Sequence, residues 1–167
     1  MTARDARTSD GRRPHVLVID DAPELLDLYL ELLESEGYRV TTSPATLTVD
    51  DICAIAPDTI VHDLLFTDDA VDGVWQVLSR TRLDPRLAPV PLIVSTADSR
   101  VVNDDDLAVR LETLAVPVIL KPFAIDNLLN VLQYALEQTE PCATSHANPS
   151  HPHLRDGGGP VADWCAS

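Results

Sequence analysis

Four short apolar runs in this chain end on a polar side chain, and that pattern limits the fold more than any other feature. Residues 15–19 run into Asp20 and Asp21, residues 58–62 into Asp63, residues 92–94 into Ser95 and Thr96, and residues 118–120 into Lys121. Their β-branched, nearly continuous apolar content is that of strands covered on both faces, as in a parallel sheet. The stretches between them have helical spacing. Residues 24–36 place Glu24, Asp27, Glu31 and Glu34 on one face and leucines on the rest, with Pro23 suited to the first turn and Gly37 to the stop. Residues 125–137 repeat apolar side chains at Ile125, Leu128, Leu129, Leu132, Ala135 and Leu136. Parallel strands carry all four polar tips to one edge, which is where open α/β sheets bind ligands. Asp63 is then the candidate nucleophile, with the other tips built around it.

The remaining elements fill out the alternation. Residues 38–42 read as the second strand, the least apolar and so an edge strand, and residues 46–56 as a weak helix with Ile52 and Ile55 toward the core. An acidic loop, residues 66–72, leads through Gly73 into a short helix to about residue 81. Asp84, Pro85 and Arg86 mark a turn. A further helix spans residues 104–114, its Asp104, Asp105 and Asp106 suited to the positive N-terminal end. Five strands alternating with five helices predict an α/β fold, a doubly wound five-stranded parallel sheet. The fold is expected over residues 15–138, between a disordered polar arm, 1–14, and a disordered tail rich in Pro, His and Gly, 139–167.

Composition narrows the function. The formal charge is −15, and residues 15–138 carry 22 Asp/Glu against seven Lys/Arg. So acidic a surface repels phosphate backbones, so no nucleic-acid contact is expected. Cys53, Cys142 and Cys165 are odd in number and widely spaced, as free thiols in a reducing compartment are. The apolar runs fall far short of the roughly 18 residues that a membrane span needs, and residues 1–13 lack the apolar core of a signal peptide. A cytoplasmic protein without membrane contact is expected. Cys142, His146, His151, His153 and Cys165 offer metal-capable atoms, but their spacing fits no compact zinc pattern. Taken alone, Asp20 and Asp21 read as a turn and helix cap.

Taken together, Ile19-Asp20-Asp21, Asp63, Thr96-Ala97 and Lys121-Pro122-Phe123 resemble the receiver domain of bacterial two-component response regulators. Lys121 is the only lysine in the chain. The resemblance implies a flavodoxin-like sheet of order 2-1-3-4-5 and a phosphoryl group received on Asp63 from a phosphohistidine of a sensor histidine kinase or phosphotransfer protein. It implies Mg2+ held by Asp21 and Asp63 directly, by Asp20 mostly through water and by the backbone carbonyl of Leu65. Lys121 and Thr96 would each meet a phosphoryl oxygen, and Ala97 would leave room for it. Chemistry asks for the same groups, since phosphoryl transfer needs an in-line nucleophile and cations on the equatorial oxygens. The chain departs from the pattern in four places, one of them His62, unusual directly before the acceptor. Val118 stands where the family usually has a switch aromatic, the Asp63-to-Gly73 spacing is two positions longer than usual, and Thr67 replaces the usual proline.

The expected function is a stand-alone receiver, monomeric or weakly dimeric, that signals to a protein target by contact and lacks a DNA-binding output domain. The alternative is a pseudo-receiver, an interaction module that has lost phosphotransfer. A metabolic enzyme is disfavoured. A haloacid-dehalogenase-like phosphatase needs Asp two residues after Asp20, where Ala22 stands, and a flavodoxin-like carrier needs a phosphate loop where Asp21-Ala22-Pro23-Glu24 is electrostatically hostile.

Overall fold

A computed structural model describes residues 11–44, 46–64, 71–99, 103 and 105–139. The arm through residue 10, Leu65 with the acidic loop to residue 70, Asp104 and the tail from residue 140 lie outside these. The order is β1 (His15–Ile19), α1 (Pro23–Ser35), β2 (Arg39–Ser43), α2 (Val49–Ile55), β3 (Thr59–Asp63), α3 (Val71–Leu83), β4 (Leu92–Thr96), α4 (Asp105–Thr113), β5 (Val118–Leu120) and α5 (Ile125–Thr139). All four strand pairings are parallel and the sheet order is β2-β1-β3-β4-β5. The predicted order and the edge position of β2 are therefore observed.

Side-chain alternation divides the core into two layers. Val16, Val18, Val61, Ile93 and Ile119 pack with Leu26, Tyr29 and Leu33 of α1 and with Leu128, Leu132 and Ala135 of α5. On the other face, Leu17, Ile19, Ile60, Leu92 and Val94 pack with Ile52 of α2, Leu78 of α3 and Leu111 of α4. Both layers are mainly aliphatic, and Leu33, Leu78, Leu128 and Leu132 are fully buried. Truncating any of these to Ala costs about 2–5 kcal/mol.

Local chemistry sets the helix ends. The acidic stripe of α1, Glu24, Asp27, Glu31 and Glu34, faces solvent as its spacing predicts. Gly37, at φ 93°, ends that helix: its N–H reaches the Glu34 carbonyl at 3.1 Å and the Tyr38 N–H reaches that of Leu33 at 3.0 Å. The same closure after α4 uses Ala115 at φ 51°, a position where glycine would be unstrained. Helix α2 starts at Val49, three residues later than the sequence suggested. Thr48 accepts the Asp51 N–H while the Asp51 carboxylate accepts the Thr48 N–H, a reciprocal cap that fixes the start there.

Candidate functional site

The carboxyl ends of β1, β3 and β5 bring Asp20, Asp63 and Lys121 into one cluster. Lys121 Nζ donates to Asp20 Oδ2 at 2.7 Å and lies 3.2 Å from Asp63 Oδ2. The Asp20 side chain is 1% exposed, and its other oxygen accepts the Ala22 N–H at 2.9 Å, at the entry to α1. Asp20 is thus fully engaged. Asp63 is not, because its Oδ1 is buried without a hydrogen-bond partner. Asp21 is exposed at the rim, and Asp20, Asp21 and Asp63 each offer an oxygen within 4.8 Å of the others.

One ammonium among three carboxylates leaves a local negative excess. Burial raises Asp63 above the usual carboxylate range, and Asp20 and Asp21 push the same way against Lys121. Burial alone would lower Lys121, but its bond to Asp20 and the charge of Asp63 outweigh that and hold it above its ordinary value. The lysine stays charged. Hard oxygen donors with unneutralised charge suit a divalent cation such as Mg2+, so the residues present fit the ion that the sequence implied. A cleft of about 210 Å³ opens beside them, lined by Ile19, Asp20, Asp21, Pro44, Thr46, His62, Asp63 and Leu64.

Thr96 reaches the same sheet edge through its backbone, its carbonyl accepting the Lys121 N–H at 2.8 Å. Its hydroxyl is fully buried and accepts the Asp98 N–H at 3.1 Å. Ala97 is exposed just beyond β4. Leu65, expected to give a backbone carbonyl, lies outside the described residues. Three further residues stand at the site, of which Ser95, a polar strand tip, and His62, directly before Asp63, were visible in the sequence. Tyr29 of α1 is 6% exposed and stacks on Phe123, with ring centroids 6.5 Å apart. Ser95 is buried with its hydroxyl unpartnered. His62 is buried with Nδ1 2.8 Å from the Asp63 carbonyl, so Nδ1 carries the proton and Nε2 is left bare. Burial holds His62 below its ordinary value. Tyr29 was missed, and its helical period with Leu26 and Leu33 is the signal that points to it.

No family model matches the chain. It is 30% identical over 137 residues to the DNA-binding dual master transcriptional regulator RpaA of Synechocystis, covering 80% of this chain and 54% of RpaA. It is 31% identical over 135 residues to the transcriptional regulatory protein FixJ of Bradyrhizobium diazoefficiens, covering 80% of this chain and 62% of FixJ. The solved structure of full-length FixJ from B. japonicum superposes with a TM-score of 0.61 at 29% identity, over 80% of this chain and 63% of that one. The chain carries a response-regulator receiver domain. It spans between half and two thirds of the length of these curated relatives. The receiver's acidic cluster stands at the carboxyl edge, and no helix among the described residues is long and apolar enough to cross a membrane.

Proposed function

We propose that this receiver accepts a phosphoryl group on Asp63 from a phosphohistidine of a sensor kinase or phosphotransfer protein, and passes the signal on by protein contact. The observation that carries this reading is the Asp63 carboxylate, half-engaged by Lys121 through Oδ2 and unpartnered at Oδ1, set among two further carboxylates. Asp20, Asp21 and Asp63 would hold Mg2+, with the Leu65 carbonyl proposed as a further ligand. The ion would neutralise charge on the phosphoryl oxygens during transfer.

The chain's own residues supply the rest. Asp63 Oδ2 attacks phosphorus, the bond from phosphorus to the donor imidazole nitrogen breaks, and that nitrogen keeps the electron pair. Lys121 shifts from a carboxylate oxygen to a phosphoryl oxygen as a point charge. The Thr96 hydroxyl donates to another phosphoryl oxygen, and Ala97, lacking bulk, leaves that approach open. Phosphorylation adds about −1.5 to −2 charge at this edge, and that charge shifts the population toward the form that a protein target recognises. The strong acidity of residues 15–138 favours a protein over a nucleic acid as the contact this domain makes.

Acetyl phosphate with Mg2+ tests the reading, by intact mass. The wild type gains one phosphoryl group and Asp63→Asn gains none. A folded wild type that gains nothing from acetyl phosphate or a phosphorylated kinase would leave the interaction-module reading in its place.

A further inference from the structure

Four strands present one side chain each at the carboxyl edge on the face covered by α1 and α5. Val18, Val61, Ile93 and Ile119 lie in that layer, so the residues two further on, Asp20, Asp63, Ser95 and Lys121, leave the strands toward the same face. Three of these carry the cluster described above. The fourth, Ser95, is the direct register partner of Asp63 across β3 and β4.

Ser95 is 1% exposed. Its Oγ and Asp63 Oδ1 are both buried and neither has a hydrogen-bond partner. A hydroxyl donor and a carboxylate acceptor, both unsatisfied and on facing register positions, are an expensive pair to leave apart. A staggered rotation about χ1 re-aims the serine hydroxyl without moving the backbone. Tyr29 closes the arrangement from α1, braced by its stack on Phe123, two residues after Lys121. Burial raises its phenol, while Ser95 and Lys121 act against that rise and Asp20 and Asp63 add to it, so the hydroxyl shares their surroundings. A serine has a single proton to give. Were the tyrosine to donate to Oγ, that proton would be left for Asp63.

We propose that Ser95, oriented by Tyr29, donates a hydrogen bond to Asp63 Oδ1 and thereby sets how long a phosphoryl group stays on that residue; this rests on the phosphoacceptor reading above. The buried Oδ1 is then the held oxygen, and Oδ2, beside Lys121, carries the phosphoryl group. In hydrolysis a water oxygen bonds to phosphorus and the bond from phosphorus to Asp63 Oδ2 breaks. The electron pair remains on the carboxylate, and both water protons leave on dihydrogen phosphate. The Ser95 bond is weak to an acyl carbonyl and strong to a full carboxylate. It therefore strengthens along the path to hydrolysis and speeds it.

The experiment follows decay of the acyl phosphate after donor removal, by mass, in the full chain. Ser95→Ala slows decay roughly tenfold, the scale of one charge-assisted hydrogen bond. Tyr29→Phe slows it less and adds nothing to Ser95→Ala, while Ser95→Thr, which keeps the hydroxyl, decays like the wild type. A second readout needs no phosphate: the Asp63 side-chain carboxyl carbon resonance of aspartate-labelled protein moves in Ser95→Ala and moves less in Tyr29→Phe. Unchanged decay and an unmoved resonance in Ser95→Ala overturn the proposal. A moved resonance in a protein that never accepts phosphate keeps the hydrogen bond and overturns both the lifetime role and the phosphoacceptor reading.

Discussion

The two ends of the sheet are both polar, but they treat their charges differently. At the amino end, Asp58 takes two bonds from the Arg12 guanidinium at 2.8 and 2.9 Å and the His15 N–H at 2.6 Å. His15 Nδ1 accepts from Arg39 at 2.7 Å, which leaves Nε2–H to donate to the Thr41 hydroxyl at 2.8 Å. Arg13 donates to the carbonyls of Glu34, Gly37 and Tyr38, where the end of α1 favours a cation. At the carboxyl end one lysine pairs with two of three clustered carboxylates, and buried atoms of Asp63, Ser95 and His62 have no partner. The paired end holds the fold together. The unpaired end is held ready for something to bind.

That contrast breaks first, and by most, at Lys121. Lys121→Ala leaves buried Asp20 without its countercharge and destabilises the protein by about 3 kcal/mol, the usual cost of stranding one partner of a buried pair. Urea unfolding measures it, and Mg2+ restores part of the loss because the ion binds only the folded site. At the other end Asp58→Ala removes the Arg12 pair and the His15 N–H acceptor, and costs about 1–2 kcal/mol. Mg2+ restores none of that. Equal rescue of both variants would erase the distinction between the ends.

Asp63→Asn acts in the opposite direction. Burial and its carboxylate neighbours raise Asp63, so at neutral pH its ionised form works against folding. Removing that charge raises stability by about 1 kcal/mol, within the range of like-charge relief, and a rise in Tm without Mg2+ checks it. A drop in Tm would show that the excess negative charge is balanced in some other way.

The smallest effect is in pH. Burial and the Arg39 guanidinium hold His15 below its ordinary value, so the folded protein keeps it neutral. Its contribution is complete above the unfolded value of about 6.5 and is lost as pH falls through the lowered native value. His62, also lowered, adds to the same loss. Asp63 runs the other way, since protonation relieves its penalty as pH falls through its raised native value. Unfolding midpoints at several pH values therefore fall more steeply on acidification in Asp63→Asn than in the wild type. Parallel curves would contradict the opposing contribution of Asp63.

Much of this was legible in the chain because strand tips announce themselves. An apolar run that stops on Asp20, Asp63, Thr96 or Lys121 is visible without coordinates, and a parallel sheet must gather such tips at one edge. The strand order came from the resemblance those tips carry. Ser95 and Tyr29 were harder to place. Ser95 sits between an apolar strand and the more conspicuous Thr96, and only the observed register sets it opposite Asp63. Tyr29 looked like one more apolar residue of α1, because periodicity reports the face of a side chain and not what its hydroxyl meets. The amino-end network of Arg12, His15, Arg39 and Asp58 joins residues up to 46 positions apart, which no local pattern reveals. Ala56 and Ala115, at φ 51°, broke the rule that a left-handed helix end is marked by glycine.

The most direct test of the central claim is to locate the acyl phosphate chemically. The protein is treated with acetyl phosphate and Mg2+, reduced with borohydride, which converts a phosphoaspartate to homoserine, and sequenced by mass spectrometry. Homoserine at position 63, and only when Mg2+ is present, is the result this account predicts. Homoserine at Asp20 or Asp21, or at no position in a folded and Mg2+-loaded protein, would contradict it.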